Sequence, residues 1–172
     1  KTVVDAGLSL LDLLDLLDLL GVLGHWPGAR WLQGSGTAYL FVNTAHILGL
    51  ALLLGAILAV DRGLAGVLRG DGLPLLARAL SRTASVGLGL ALFTGVWLFS
   101  VRPLDYVDSP AFLWKLGVLL FALLNVAWQH AAPGWREVLA GEAPAAGVRW
   151  RARLSLLLWL AVLLAGRWIG FL

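Results

Sequence analysis

The chain has 172 residues, is 60% hydrophobic and only 13% charged, and has a mean hydropathy of +0.87. So few polar side chains cannot cover a water-soluble globule of this size, which excludes a soluble enzyme, a nucleic-acid-binding domain and a disordered regulator and predicts a membrane protein. The 13 Lys plus Arg outnumber the 10 Asp plus Glu, yet they sit between apolar runs, where they are topology signals rather than polyanion ligands. With no cysteine and no methionine, the chain has no disulfide, no thiolate metal site, no C-x-x-C-H haem attachment and no soft-sulfur copper(I) site.

The first 24 residues, with the run LSLLDLLDLLDLLGVLG, imitate a membrane span in composition. Asp5, Asp12, Asp15 and Asp18 argue against one: at 100° per residue they fall within an arc of about 140°, with leucines over the remainder. Each mid-span aspartate costs roughly 2.5–3.5 kcal/mol, and about 0.5 kcal/mol from each leucine does not offset several of them. The segment is expected to be an acidic amphipathic helix in the interface, its leucines in lipid or against the bundle. Anionic headgroups repel such a face, so the alternative is docking on basic residues of the bundle, of a larger membrane complex or of a periplasmic protein.

Four later runs, 39–60, 83–101, 111–130 and 154–171, have the roughly 20 helical residues that cross a hydrocarbon core about 30 Å thick. Gly70-Asp71-Gly72 with Pro74, Arg102-Pro103, Pro133-Gly134 and the Gly/Ala/Pro stretch 140–147 separate them with turn and helix-stop signals. The predicted fold is an all-α membrane protein: an amphipathic interfacial helix and loop over 1–35, then a four-transmembrane-helix bundle over 36–172. Gly49, Gly55, Gly87, Gly89, Gly95 and Gly117 are read as close-packing positions.

Arg62, Arg69, Arg78 and Arg82 lie between the first two spans, and Arg136, Arg149, Arg151 and Arg153 between the last two. Lys1, Arg30, Arg102, Lys115 and Arg167 fall on the other side, so the arginine-rich connections are expected in the cytoplasm and both termini outside. Trp26, Trp31, Trp97, Trp114 and Trp168 would then line the outer boundary, and Trp128, Trp135 and Trp150 the inner one.

Polar residues inside a span are costly and mark candidate sites. Asn43 and His46 in the first span, Lys115 in the third and Arg167 in the fourth converge near the outer leaflet, where two cations and a histidine suit a haem propionate, a carboxylate, a lipid phosphate or a quinone head. The bland rival is that Lys115 and Arg167 snorkel or pair with Asp105, Asp108 or the aspartates of the amphipathic helix, while His46 and Asn43 serve as helix glue. His46 and His130 are the histidines available as metal ligands, but they differ in height by roughly 18 Å, so they do not serve one haem within a protomer. A dimer would bring two copies of His46 to one depth. Asn125, Gln129 and His130 gather at the inner end, and no hydrolytic or nucleophilic constellation is visible in a span.

The string Phe41-Val42-Asn43-Thr44-Ala45-His46-Ile47-Leu48-Gly49, the following Asp61-Arg62, Trp114-Lys115-Leu116, Asn125 with His130, and Ala165-Gly166-Arg167-Trp168-Ile169 carry a resemblance. Over about residues 36–172 the chain resembles an uncharacterised family of four-span bacterial inner-membrane proteins with an amphipathic N-terminal segment. More distantly, the histidine motif of the first span is similar to that of copper-resistance protein D. The resemblance implies a bacterial inner membrane and points to Asn43, His46, Lys115, His130 and Arg167. The expected role is a non-catalytic binding or accessory subunit, holding haem b or a quinone for a redox system. The alternatives are a purely structural subunit of a larger complex and a small metal or anion transporter.

Overall fold

A computed structural model describes residues 10–66 and 72–168. The expectations that rest on Lys1, Asp5, Arg69, Gly70, Asp71 and the chain beyond Trp168 lie outside the described residues, as do those resting on the side chains of Asp12 and Trp168.

Among the described residues all regular structure is helical: α1 (Leu10–Leu23), α2 (Pro27–Gly34), α3 (Gly36–Leu64), α4 (Leu73–Phe99), α5 (Pro103–Val107), α6 (Pro110–Ala131), α7 (Pro133–Leu139) and α8 (Ala146–Trp168). Proline sets many of the starts. Pro27, Pro74, Pro103, Pro110 and Pro133 each occupy the first or second helical position, where a missing N–H removes no helical hydrogen bond. Ser35 starts α3 differently, accepting the Ala38 amide hydrogen on Oγ at 3.2 Å. Glycine ends α3 and α7, because Gly66 and Gly141 adopt φ of 84° and 99°, which a side chain disfavours.

Three helices, α3, α4 and α6, are long and apolar enough to cross a membrane. The 29 residues of α3 reach about 43 Å and the 27 of α4 about 40 Å, more than a hydrocarbon core of about 30 Å. The excess is helical, so Arg62 lies in the last turn of α3, and Arg78 and Arg82 on α4, rather than in an open connection. Likewise α7 occupies part of the expected turn after Pro133, and Arg149, Arg151 and Arg153 belong to α8. Those arginines and Arg167 bracket an uncharged stretch, 154–166, that sets α8 apart from the three more apolar helices.

The closest neighbours are α3 with α4, α6 with α8, and α3 with α8. On α8 the buried residues Val148, Ala152, Ser155, Trp159 and Val162 recur at alternating steps of four and three, the seam of a helix packed along others. The middle of the bundle is held by Leu53, Ile57, Ala122, Trp159 and Val162. At one end α2 buries Ala29 and Leu32, the latter against Ala38, Val42 and Leu98. At the other, α7 buries Trp135 and Val138 against Val60, Leu64, Ala77 and Val148. Trp135 is thus a core residue and not part of a lipid-facing belt, because α7 folds back under the bundle. Trp114, Trp128 and Trp150 are exposed.

The α2 end is fastened by tryptophan. Trp97 donates its indole hydrogen to the Gly28 carbonyl at 3.0 Å, Trp26 donates to Ser100 Oγ at 2.9 Å, and both Trp26 and Trp31 lie 6.0 Å from the Trp97 ring. α1 reaches the rest of the chain through α5; its Asp15 and Asp18 are exposed, and so are Leu17, Leu19 and Val22. Among the glycines expected at close contacts, Gly49, Gly87 and Gly95 meet a neighbouring helix, whereas Gly55, Gly89 and Gly117 have nothing within 4 Å of where a Cβ would stand.

Candidate functional site

The strongest concentration of buried polar chemistry lies towards the α7 end. Asp61 follows Leu53 and Ile57 at intervals of eight and four, which places it on the face of α3 that looks into the bundle. Ser155 sits inside the α8 seam between Ala152 and Trp159. Asn125 and Gln129 share with Ala122 the buried stripe of α6. Helical period alone therefore carries four polar side chains into the interior.

Part of this chemistry is satisfied. Asn125 donates from Nδ2 to the Arg151 carbonyl at 3.1 Å, a second bond that a helical carbonyl can accept on its spare lone pair. Arg151 donates from Nε to Gln129 Oε1 at 2.6 Å, and its guanidinium lies 5.2 Å from the centre of the Trp128 ring. Gln129 in turn reaches the Val148 carbonyl at 3.5 Å. These contacts tie α6 to the start of α8 and hold Arg151 towards the outside of the bundle.

The rest is not satisfied. Asp61 Oδ2, Asn125 Oδ1, Ser155 Oγ and Trp159 Nε1 are buried without a close hydrogen-bond partner among the described residues, in residues only 6%, 5%, 4% and 2% exposed. All four line one cavity of about 90 Å³ enclosed by α3, α4, α6, α7 and α8. That volume holds about three water molecules at roughly 30 Å³ each. The Ser155 hydroxyl interacts with the Asp61 carboxyl, but outside close hydrogen-bonding geometry. The one ion pair among the described residues joins Arg102 to Asp105 on the surface at 3.9 Å, so no described cationic side chain approaches Asp61 within 4.0 Å. Exposed Ser85 of α4 and exposed His130 of α6 also line the cavity. An unsatisfied buried polar atom costs about 1–3 kcal/mol, and four around one space make this the chemically loaded part of the fold.

The outer residues occupy the other half of the bundle. His46 Nδ1 lies 3.0 Å from Thr94 Oγ1, and Thr94 spends its own hydrogen on the Leu90 carbonyl at 2.6 Å. Thr94 must then accept, so the proton of neutral His46 sits on Nδ1 and Nε2 carries the lone pair. Gly95 makes room for the ring, with the His46 Cε1 only 3.1 Å from where a Cβ would be. Lys115 is partly buried and lies across Gly166, its Nζ 3.6 Å from the Cβ position there, within electrostatic reach of His46. Arg167 follows Gly166 on α8 and is exposed, and Asn43 lies one turn from His46, partly buried. Among the described residues Lys115 makes no ion pair with Asp105 or Asp108, one form of the rival reading, and Asp105 faces Arg102.

His130 belongs to the opposite end. Its Nδ1 bonds the Val126 carbonyl at 2.9 Å and its ring packs 4.5 Å from Trp135, so it shares no site with His46. His25 is exposed and bonds the Gly21 carbonyl. Among the described residues no three His, Cys, Asp or Glu side chains gather as metal ligands.

Reading the sequence by span boundaries missed the role of Asp61, Ser155 and Trp159. Asp61 stands next to Arg62 just past the predicted end of the first span and looks like a connection residue. The signal that finds it is the interval from Leu53 and Ile57. No protein-family model matches this chain, and comparison with curated proteins and with solved structures gives no significant match.

Proposed function

We propose that the chain is a four-span protein of the bacterial inner membrane, with both termini on the periplasmic side, acting as a non-catalytic binding module for a small polar ligand in the cavity around Asp61. The fourth span is α8, whose uncharged stretch packs in a continuous seam beside two of the three apolar helices. The arginines at the α7 end support a cytoplasmic position for that end. The resemblance to four-span inner-membrane proteins supports the compartment.

One observation carries the functional reading: four buried polar atoms without close partners among the described residues border one cavity inside the bundle. A buried ionisable residue lining a cavity is a candidate ligand site. Cofactor sites run to about 300–1,000 Å³, so the cavity of about 90 Å³ suits water or a single ion rather than haem or a quinone ring.

The test uses the absence of native cysteine. A single cysteine at Ser155 is labelled in membrane vesicles by silver ion, a thiol reagent small enough for the cavity, whereas one at Leu163, on the outward face of α8, is not. Failure of Ser155→Cys to react, with the variant folded, removes the reading.

The His46–Thr94 pair favours a second, outer-leaflet reading. An oriented ring with an acceptor nitrogen near a lysine ammonium suits a head group that both donates and accepts, such as a quinone, or an anion such as a haem propionate. Arg167 and Asn43 flank that position. The exposed aspartates of α1 supply the face by which the module docks on a larger complex or a periplasmic protein.

A further inference from the structure

We infer that the ligand of the inner cavity is a monovalent metal cation of sodium's size, held by Asp61 Oδ2, Asn125 Oδ1 and Ser155 Oγ and completed by water. This assignment rests on the reading of the cavity as a ligand site and names its occupant by charge and donor type.

Three of the four atoms without close partners are oxygens, and each can present a lone pair to a cation. The set is hard: a carboxylate, a carboxamide carbonyl and a hydroxyl, with no nitrogen or sulfur ligand. Such oxygen sets select alkali and alkaline-earth ions over transition metals. Net charge decides between those two groups. Asp61 is the one carboxylate among the described residues that line the cavity, and Arg151 lines it too, so a divalent ion would leave more uncompensated positive charge in low dielectric than a monovalent one.

The cation of the protein itself is engaged elsewhere. Arg151 also borders the cavity, but its Nε is taken by Gln129 Oε1 and its guanidinium lies over Trp128, and no described ion pair joins it to Asp61. A buried carboxylate with no ion pair among the described residues is a group that a bound cation neutralises. The fourth atom, Trp159 Nε1, is a donor and cannot ligate. It needs an acceptor, which a water on the ion supplies. The cavity has room for one sodium ion with a few waters. Asn125 is pre-set for its part: the bond from Nδ2 to Arg151 fixes which end of the amide is left for the ion.

The experiment is a thermal melt of the purified full chain in mild detergent, read by tryptophan fluorescence, with sodium chloride exchanged for choline chloride at constant ionic strength. On raising sodium from about 5 to 300 mM, the melting temperature of the parent protein is expected to climb by about 5 °C. Asp61→Asn keeps the shape of the side chain and abolishes the dependence. Ser155→Ala, a milder change, moves the half-effect to at least about fivefold higher sodium. Equal melting temperatures in the two salts, or a sodium effect that survives Asp61→Asn, overturn the assignment. The failures are separable: Ser155→Cys that labels while the parent ignores sodium leaves a hydrated cavity whose carboxylate is served by water or Arg151. A folded Ser155→Cys that does not label removes cavity and cation together.

Discussion

Gly49 and Gly87 meet backbone to backbone: a methyl group on Gly87 would stand 2.6 Å from the Leu53 amide nitrogen and 2.8 Å from the Gly49 carbonyl oxygen. A methyl on Gly49 would stand 2.8 Å from the Ala91 nitrogen. Because the obstacles are main-chain atoms, no rotamer change relieves them, and α3 and α4 must separate. Gly87→Ala is expected to destabilise the bundle by about 1–3 kcal/mol. Gly89, two residues away with nothing within 4 Å of its Cβ position, provides the opposite expectation: Gly89→Ala stabilises by roughly 0.5–1 kcal/mol through helix propensity. Denaturant unfolding of both variants in the same detergent checks the pair, and equal effects refute the close crossing.

Asp61 separates stability from function. If its carboxyl serves a ligand, an apolar residue of similar size that fills the cavity removes unsatisfied atoms while destroying the site. Asp61→Leu is expected to melt at or above the temperature of the parent protein measured in choline, and to show no sodium response. A melting point lowered by more than about 5 °C identifies Asp61 as an internal support of the fold instead.

Trp97 is the post on which α2 is fastened, through its indole hydrogen to Gly28 and its ring to Trp26 and Trp31. Trp97→Phe keeps an aromatic ring and loses the hydrogen bond, a change of about 1 kcal/mol. Most of that loss falls on the attachment of α2 and little on the four long helices. Limited proteolysis is therefore expected to cut sooner between α1 and α3, with the melting temperature lowered by only about 2–4 °C. Unaltered cleavage would show that the α2 end is held without the Trp97 hydrogen bond, by Leu32, Ala29 and the bonds of Trp26 to Ser100 and Gln33 to Val101.

Much of the fold was legible because hydropathy and helix-stop signals are local. The runs that become α3, α4 and α6 are apolar over a membrane's thickness, and Pro103, Pro110 and Pro133 each sit where a new helix starts. The ends were less legible, since arginines such as Arg78 and Arg151 mark the edge of lipid and not the edge of a helix. His46 and Lys115 were found by depth, a one-dimensional coordinate that the sequence carries. The inner cavity is different in kind. Asp61, Asn125, Ser155 and Trp159 come from three helices, and their shared property is the direction each faces, which emerges only when the stripes of α3, α6 and α8 are set against one another. Trp135 was misplaced for the same reason: a tryptophan near a span end reads as a belt residue until α7 is seen to fold under the core.

His46 supplies the remaining prediction, which bears on the outer site. Its Nδ1 hydrogen bond to Thr94 sets the ring's angle and tautomer, so a ligand at Nε2 would feel the loss of Thr94 without touching it. Thr94→Val keeps the side-chain shape, removes the acceptor, and leaves a buried N–H that costs about 1–3 kcal/mol unless the ring turns. Within one protomer His130 lies at the far end and provides no second axial ligand, so a bis-histidine haem bound through His46 draws its second ligand from another chain, such as a second copy. Oxidised and dithionite-reduced absorption spectra, taken across size-exclusion fractions, decide the matter. If haem is held between protomers, a Soret band follows the dimer fraction, disappears in His46→Ala and is displaced in Thr94→Val. If the outer site takes a quinone head, the spectra are featureless and extracted quinone falls in His46→Ala and Lys115→Gln alike. A featureless spectrum with no quinone lost in either variant reduces His46 and Thr94 to a hydrogen bond between α3 and α4, with the stability loss in Thr94→Val as its only consequence.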